Sequence, residues 1–182
     1  SITVTLNRLM KIRQLIAMEK IQYTCELIDK VLEQDKKVIV FTNFTNVVDV
    51  LHEKYKKNSV ILDGRMSKDK RQESVDKFQN NDKIKIFISN IVAGGVGITL
   101  TAAETVIMND LSFVPAHHSQ AEDRAYRYGQ KNSVLVYYPL FENTIERIVY
   151  NILQKKKNII DQVMGDGEYS ESFTRELINE IF

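Results

Sequence analysis

The chain has 182 residues, of which 43% are hydrophobic and 27% charged, with a formal net charge of +1. This is enough for one ordinary domain with a real core and a small appendage, and the composition excludes a disordered chain. Its longest apolar runs, such as Val38 to Phe41 and Ile86 to Ile88, are too short to cross a bilayer, and so weak a net charge excludes nucleic-acid binding by bulk electrostatics, leaving only local backbone donors and a few placed side chains.

The opening Ser1-Ile2-Thr3-Val4 has no charged stretch leading into an apolar one, so no secretory signal is expected there. A start without Met, in mid-pattern, is expected of a piece of a longer polypeptide. Residues 1–34 form a helical lead-in, with one or two helices between Leu6 and Glu33. Cys25, the one cysteine, falls at helical spacing with Ile21, Thr24, Ile28, Val31 and Leu32 and is expected to be a core thiol. It has no disulfide partner, and no Cys/His cluster offers a metal site.

Residues 35–142 carry the main domain. Strands are expected over Lys37–Thr42, Ser59–Leu62, Ile84–Ser89, Thr105–Asn109 and Val134–Leu140, and helices over Asn46–Lys56, Lys68–Gln79 and Pro115–Tyr128. Apolar strands alternating with helices predict an α/β domain with a parallel sheet covered on both faces. Right-handed crossovers make it doubly wound. Residues 143–182 begin with a long helix, since Ile145, Ile148, Val149, Ile152, Leu153, Ile159, Ile160 and Val163 follow three-four spacing up to a stop at Gly165. Asn143 and Glu146 suggest a capping box. Lys155 to Lys157 read as a solvated face. After a turn at Gly165 to Gly167 the tail predicts one more short helix.

Two absences bound the chemistry. No Gly-x-x-x-x-Gly-Lys-Ser/Thr stretch exists to cradle a triphosphate, and no Asp-Glu pair follows an apolar strand to hold magnesium; Asn109-Asp110 lacks the second carboxylate. By contrast, Gln120-Ala121-Glu122-Asp123-Arg124-Ala125-Tyr126-Arg127-Tyr128-Gly129-Gln130 puts two arginines three apart on a predicted helix, so both guanidinium groups are expected on one face. Two permanently charged forks suit a phosphate developing negative charge. A surface salt-bridge face with Glu122 and Asp123 is the plainer alternative. Because the chain cannot hold a nucleotide, the forks are best explained as reaching across a cleft to one held by a partner lobe. Upstream, Ser89 to Ala103 follows an apolar strand and contains Gly94, Gly95 and Gly97, which let backbone amides approach an anion closely. The dinucleotide fingerprint is not met.

The Gln120–Gln130 stretch resembles motif VI of the Swi/Snf-type DNA translocases, a branch of the superfamily-two helicase-like ATPases. The resemblance implies that Arg127 is an arginine finger, with Arg124 beside it, and that Gln120, Gly95, Gly97 and Gln130 face the nucleotide cleft. Ala93 to Leu100 resembles motif V, with Thr99 where the family usually has Asn, and Asn90-Ile91-Val92 also departs from the family. Lys37 to Phe44 resembles motif IV, and Leu62-Asp63-Gly64-Arg65-Met66 with Arg71 resembles the segment after it. On that basis Thr42, Asn43, Gly64, Arg71, Ser89, Asn90, Gly94 and Thr99 are candidate DNA contacts. Val75 and Phe78 are simply core. Phe113-Val114-Pro115 replaces the family's tryptophan-containing approach to motif VI, although Pro115 remains a good helix start. His117 and His118, being adjacent, read as ordinary loop or helix-start residues. The resemblance covers roughly Lys37 to Gly165.

The implied fold is a RecA-like parallel sheet sandwiched by helices, without its own phosphate loop, and with a C-terminal brace helix that packs back across a first lobe. The implied function is the C-terminal lobe of an ATP-dependent double-stranded DNA translocase. ATP and Mg²⁺ would be bound mainly by the N-terminal RecA-like lobe of the same polypeptide, and the fragment alone is expected to be inactive. Expected partners are that lobe, double-stranded DNA and a protein substrate on the DNA, with no membrane. An RNA helicase lobe is the alternative from a neighbouring class, but its motif VI usually reads His-Arg-x-Gly-Arg-x-x-Arg. A non-catalytic nucleotide- or partner-binding module is the other, against which the intact arginine pair argues. Abundant Lys, Ile and Asn favour a cytoplasmic bacterial or phage-like setting over a nuclear one.

Overall fold

Five short strands, each at least half Val, Ile, Leu or Phe, build the centre of the protein: β1 (Val38–Thr42), β2 (Ser59–Leu62), β3 (Ile86–Asn90), β4 (Thr105–Met108) and β5 (Leu135–Tyr137). The computed structural model describes residues 2–93, 98–160, 175, 176 and 178–180, without the side chains of residues 2 and 156–160. The strands run in the order β2-β3-β1-β4-β5, and all four pairings are parallel. Val38 lies opposite both Ile86 and Thr105, which fixes the register of the three central strands.

Alternation along β1 sorts the core into two layers. Val38 and Val40 join the helices α1 (Ile2–Glu33) and α2 (Thr45–Lys54) on one face, through Ala17, Cys25, Ile28, Val47, Val48 and Leu51. Ile39 and Phe41 face α3 (Lys68–Asn80) and α4 (Pro115–Ala125) on the other, through Val75, Phe78, Ala121 and Ala125. This is the RecA-like sandwich. Cys25, Val75 and Phe78 are core, as expected. A third cluster joins α5 (Ile145–Ile160) to the lobe, with Val149, Ile152 and Leu153 buried together with Leu9 and Leu111.

The differences from the sequence reading are local. The lead-in is one helix of 32 residues. β5 shortens to three residues, at an edge where only one neighbour holds it. α4 stops at Ala125, three residues before Tyr128. Ser67 caps α3 by accepting from the Lys70 backbone N–H at 3.3 Å, and Pro115 opens α4 at its first turn.

The capping box at Asn143 does not form. Asn143 sits at φ 58, and the Thr144 hydroxyl accepts from the Glu146 backbone N–H at 3.3 Å instead. Glu146 turns inward, accepting from the Phe141 N–H at 3.0 Å and pairing with Lys20. The resemblance implies a brace lying across a first lobe; here the buried side of α5 packs on its own lobe. Val163 and the turn at 165–167 lie outside the described residues; of the tail, residues 175, 176 and 178–180 are helical. Lys155 is exposed as expected.

Candidate functional site

In a parallel α/β sheet, ligands approach the carboxyl ends of the strands, above all where neighbouring connections diverge. Here the chain leaves β1 toward β2 on one side and leaves β4 toward β5 on the other. The divergence falls between the ends of β1 and β4, marked by Thr42, Asn43, Asn109 and Asp110. The end of β3, with Ser89 and Asn90, lies beside it.

That crevice is filled from within. Asp110 Oδ1 accepts from Thr42 Oγ1 at 2.5 Å and Asn109 Nδ2 at 3.0 Å, and Oδ2 accepts from the Asn43 backbone N–H at 2.8 Å and Asn43 Nδ2 at 2.9 Å. Behind it, α1 brings two buried cations. The Arg13 guanidinium donates to the Leu111 carbonyl and stacks 3.9 Å from the centre of the Phe113 ring. Burial lowers the Arg13 pKa, opposed by Asp110 and Glu146. Lys20, fully buried, pairs with Glu146; burial lowers its pKa and the Glu146 carboxylate opposes the shift. Asn109 completes the link, accepting from Thr24 Oγ1 at 2.7 Å and donating to the Ala17 carbonyl at 3.1 Å.

The predicted DNA residues therefore divide. Thr42 and Ser89 are fully buried, so neither side chain can touch a ligand directly. Ser89 Oγ donates to the Asn90 carbonyl at 3.0 Å. Asn43 and Asn90 are half-buried at the rim, tied by Asn90 Nδ2 donating to the Asn43 carbonyl at 3.3 Å. Arg71 straps the following segment, donating to the carbonyls of Met66 and Ala93, each at 3.2 Å. Gly64 is exposed, and a Cβ there would meet nothing within 4 Å, so the lobe itself does not require a glycine. Gly94, Gly95 and Gly97 lie outside the described residues.

The two arginines do not share a helix face. With α4 ended at Ala125, Arg127 lies in the turn beyond it, exposed, 3.4 Å from Thr99 Oγ1, to which it donates. Arg124 is only 6% exposed, and burial first, then the Arg127 charge, lowers its pKa. Gly129, at φ 101, makes the turn that Gln130 closes, because Gln130 Nε2 donates to the carbonyls of Thr101, Ala103 and Ala125 at 2.9–3.2 Å. Gln130 is thus a strap for the arginine turn; Gln120 is exposed on α4.

His118 departs most from its expected role. It is buried, and Nε2 accepts from the Ser112 N–H at 2.9 Å. Burial pushes its pKa down to about 4 from 6.5. Since the unfolded chain takes up this proton near 6.5 and the folded one only near 4, stability is full above pH 6.5 and falls as pH drops toward 4. The gap corresponds to at most roughly 3 kcal/mol. Urea denaturation of the chain at pH 7.5, 5.5 and 4 should show this decline, and His118→Gln should flatten it. An unchanged slope in the variant would remove His118 as the cause.

Among the described residues no group of three His, Cys, Asp or Glu could hold a metal ion, and Asp110, the best-placed carboxylate, is spent on internal donors. The described residues do not fit a magnesium site.

Comparison with known proteins agrees with this fold. Residues 19–129 match the helicase conserved C-terminal domain. An uncharacterized ATP-dependent helicase of Mycoplasma pneumoniae is 37% identical over 161 residues, covering 86% of this chain and 16% of that protein. A Caenorhabditis elegans homolog of SWI/SNF-related matrix-associated actin-dependent regulator of chromatin subfamily A-like protein 1 is 38% identical over 131 residues, covering 70% of this chain and 19% of that protein. This chain therefore spans less than a fifth of either relative. The Sulfolobus solfataricus SWI2/SNF2 ATPase core in complex with dsDNA matches with a TM-score of 0.75 at 27% identity, over 97% of this chain and 41% of that one. The parallel sheet, the arginine turn and these likenesses place the chain in the helicase conserved C-terminal domain family, as a C-terminal helicase lobe of the Swi/Snf type.

Proposed function

We propose that this lobe works in an ATP-dependent motor that moves along double-stranded DNA, supplying an arginine finger and part of the DNA track. One observation carries the reading: Arg127 stands exposed beyond the end of α4, beside Thr99, in a chain that has no phosphate loop of its own. A permanently charged fork held on a short, strapped turn suits a triphosphate presented by a second lobe. ATP and Mg²⁺ would then belong chiefly to an N-terminal lobe of the same polypeptide, and closure of the two lobes would complete the site. The rim of Asn43 and Asn90, with Gly64 and Thr99 as further candidate contacts, suits backbone phosphates, which a motor can grip without reading sequence. The duplex in the Sulfolobus complex supports that choice of ligand. A protein on the DNA would be the object of the movement.

The test is ATP turnover of the full-length protein with duplex DNA or RNA added. Duplex DNA is expected to stimulate turnover strongly and RNA weakly. Equal stimulation, or a preference for RNA, would move the lobe to the RNA helicases.

A further inference from the structure

We propose that Asp110 is a positioning residue that sets the DNA-facing rim of this lobe, an inference that rests on the function proposed above. Asp110 is 4% exposed, and its carboxylate takes four donors, two of them from Asn43 and one from the Thr42 hydroxyl. Only an ionised carboxylate can accept four hydrogen bonds at once and donate none. The rim continues from there without a break. The Asn43 carbonyl accepts from Asn90 Nδ2. Asn90 Oδ1 accepts from the N–H groups of Val92 at 2.9 Å and Ala93 at 3.3 Å, and the Ala93 carbonyl accepts from Arg71. One chain of hydrogen bonds thus runs from Asp110 to the threshold of the glycine-rich segment.

The rear of Asp110 is equally constrained. Asn109 holds it to α1 through Thr24 and the Ala17 carbonyl. The carboxylate is therefore fixed by the core on one side and fixes the β1–α2 and β3 loops on the other. Asp110 and Thr42 are both buried. Any effect they have on DNA must pass through Asn43 and Asn90, which makes Asp110 a positioning group and not a contact.

In the full-length protein, Asp110→Asn presents a donor to groups that are themselves donors. The duplex concentration giving half-maximal ATP turnover is expected to rise roughly tenfold, with turnover at saturating DNA within about twofold of wild type. Thr42→Val removes one of the four bonds from a buried position and should raise the same concentration roughly threefold. Thr42→Ser, which keeps the hydroxyl, should restore the wild-type value. The double variant should be no worse than Asp110→Asn alone, because both act at one node. If Asp110→Asn does not fold, the Thr42→Val and Thr42→Ser pair decides. Unmoved half-saturation, or an equal loss of saturated turnover, overturns the proposal. A wild type that duplex DNA does not stimulate overturns the proposed function and this inference with it; a stimulated wild type with unmoved variants overturns this inference alone.

Discussion

Arg127→Ala in the full-length protein is expected to lower the ATP turnover number by about 10³-fold or more, the range typical of an arginine finger, equivalent to roughly 4–7 kcal/mol of barrier. The loss should fall on kcat with little change in KM, because a finger acts on charge that develops only in the transition state. Arg127→Lys should recover only a small part, since an ammonium keeps the charge but not the planar fork. The side chain is exposed, on a turn beyond the end of α4. As a surface substitution, its removal should leave stability within about 0.5 kcal/mol of wild type. Steady-state ATPase assays together with urea denaturation check both halves. Unchanged turnover in a folded variant would remove the finger role. Arg124→Ala would be a poorer probe, because a residue only 6% exposed mixes packing with chemistry.

The sheet was legible because its signal is physical and local. A parallel strand covered on both faces must be apolar at nearly every position, and Val38–Thr42 and Ile86–Asn90 have almost no other reading. Motif VI was legible as residues and illegible as geometry. Spacing of three puts Arg124 and Arg127 on one face only while the helix lasts, and it ends at Ala125. The signals for an early end were Gly129, which takes positive φ, and Gln130, whose amide the strapped turn needs. Thr42 and Ser89 were misplaced because a strand's last polar residue can turn inward when a buried acceptor awaits it. Asp110 is that acceptor for Thr42.

The buried cations of α1 were missed, though the pattern holds them. Leu9, Arg13, Ala17, Lys20, Thr24, Ile28 and Val31 form one stripe at three-four spacing, and every one is at most 9% exposed. A charge inside such a stripe demands an opposite charge from elsewhere in the fold. Sequence alone could not say that Glu146, 126 residues away, supplies it. Glu146 read naturally as a helix cap, and the two roles exclude each other.

The Lys20–Glu146 pair should consequently give the largest stability effect in the lobe. Lys20→Met keeps nearly the same stem length and apolar volume, so the change isolates the charge. It leaves the Glu146 carboxylate buried without its ion-pair partner, with the Phe141 N–H on its other oxygen and the Arg13 charge acting on it from nearby. Breaking a buried pair from one side costs about 3–5 kcal/mol, most of it the cost of a buried charge left without its partner, and the Arg13 charge places this case toward the lower end. Lys20→Met/Glu146→Gln removes both charges while its amide oxygen can still accept from Phe141, and it should return to within about 1–2 kcal/mol of wild type. Urea denaturation of the chain at pH 7, with m-values compared, separates these outcomes. The pair joins α1 to the first turn of α5, so the single variant should also loosen that turn, seen as faster amide exchange at Val149 and Ile152. A Lys20→Met variant as stable as wild type would mean that Glu146 finds water or another donor there, and that α5 is held by its apolar side alone.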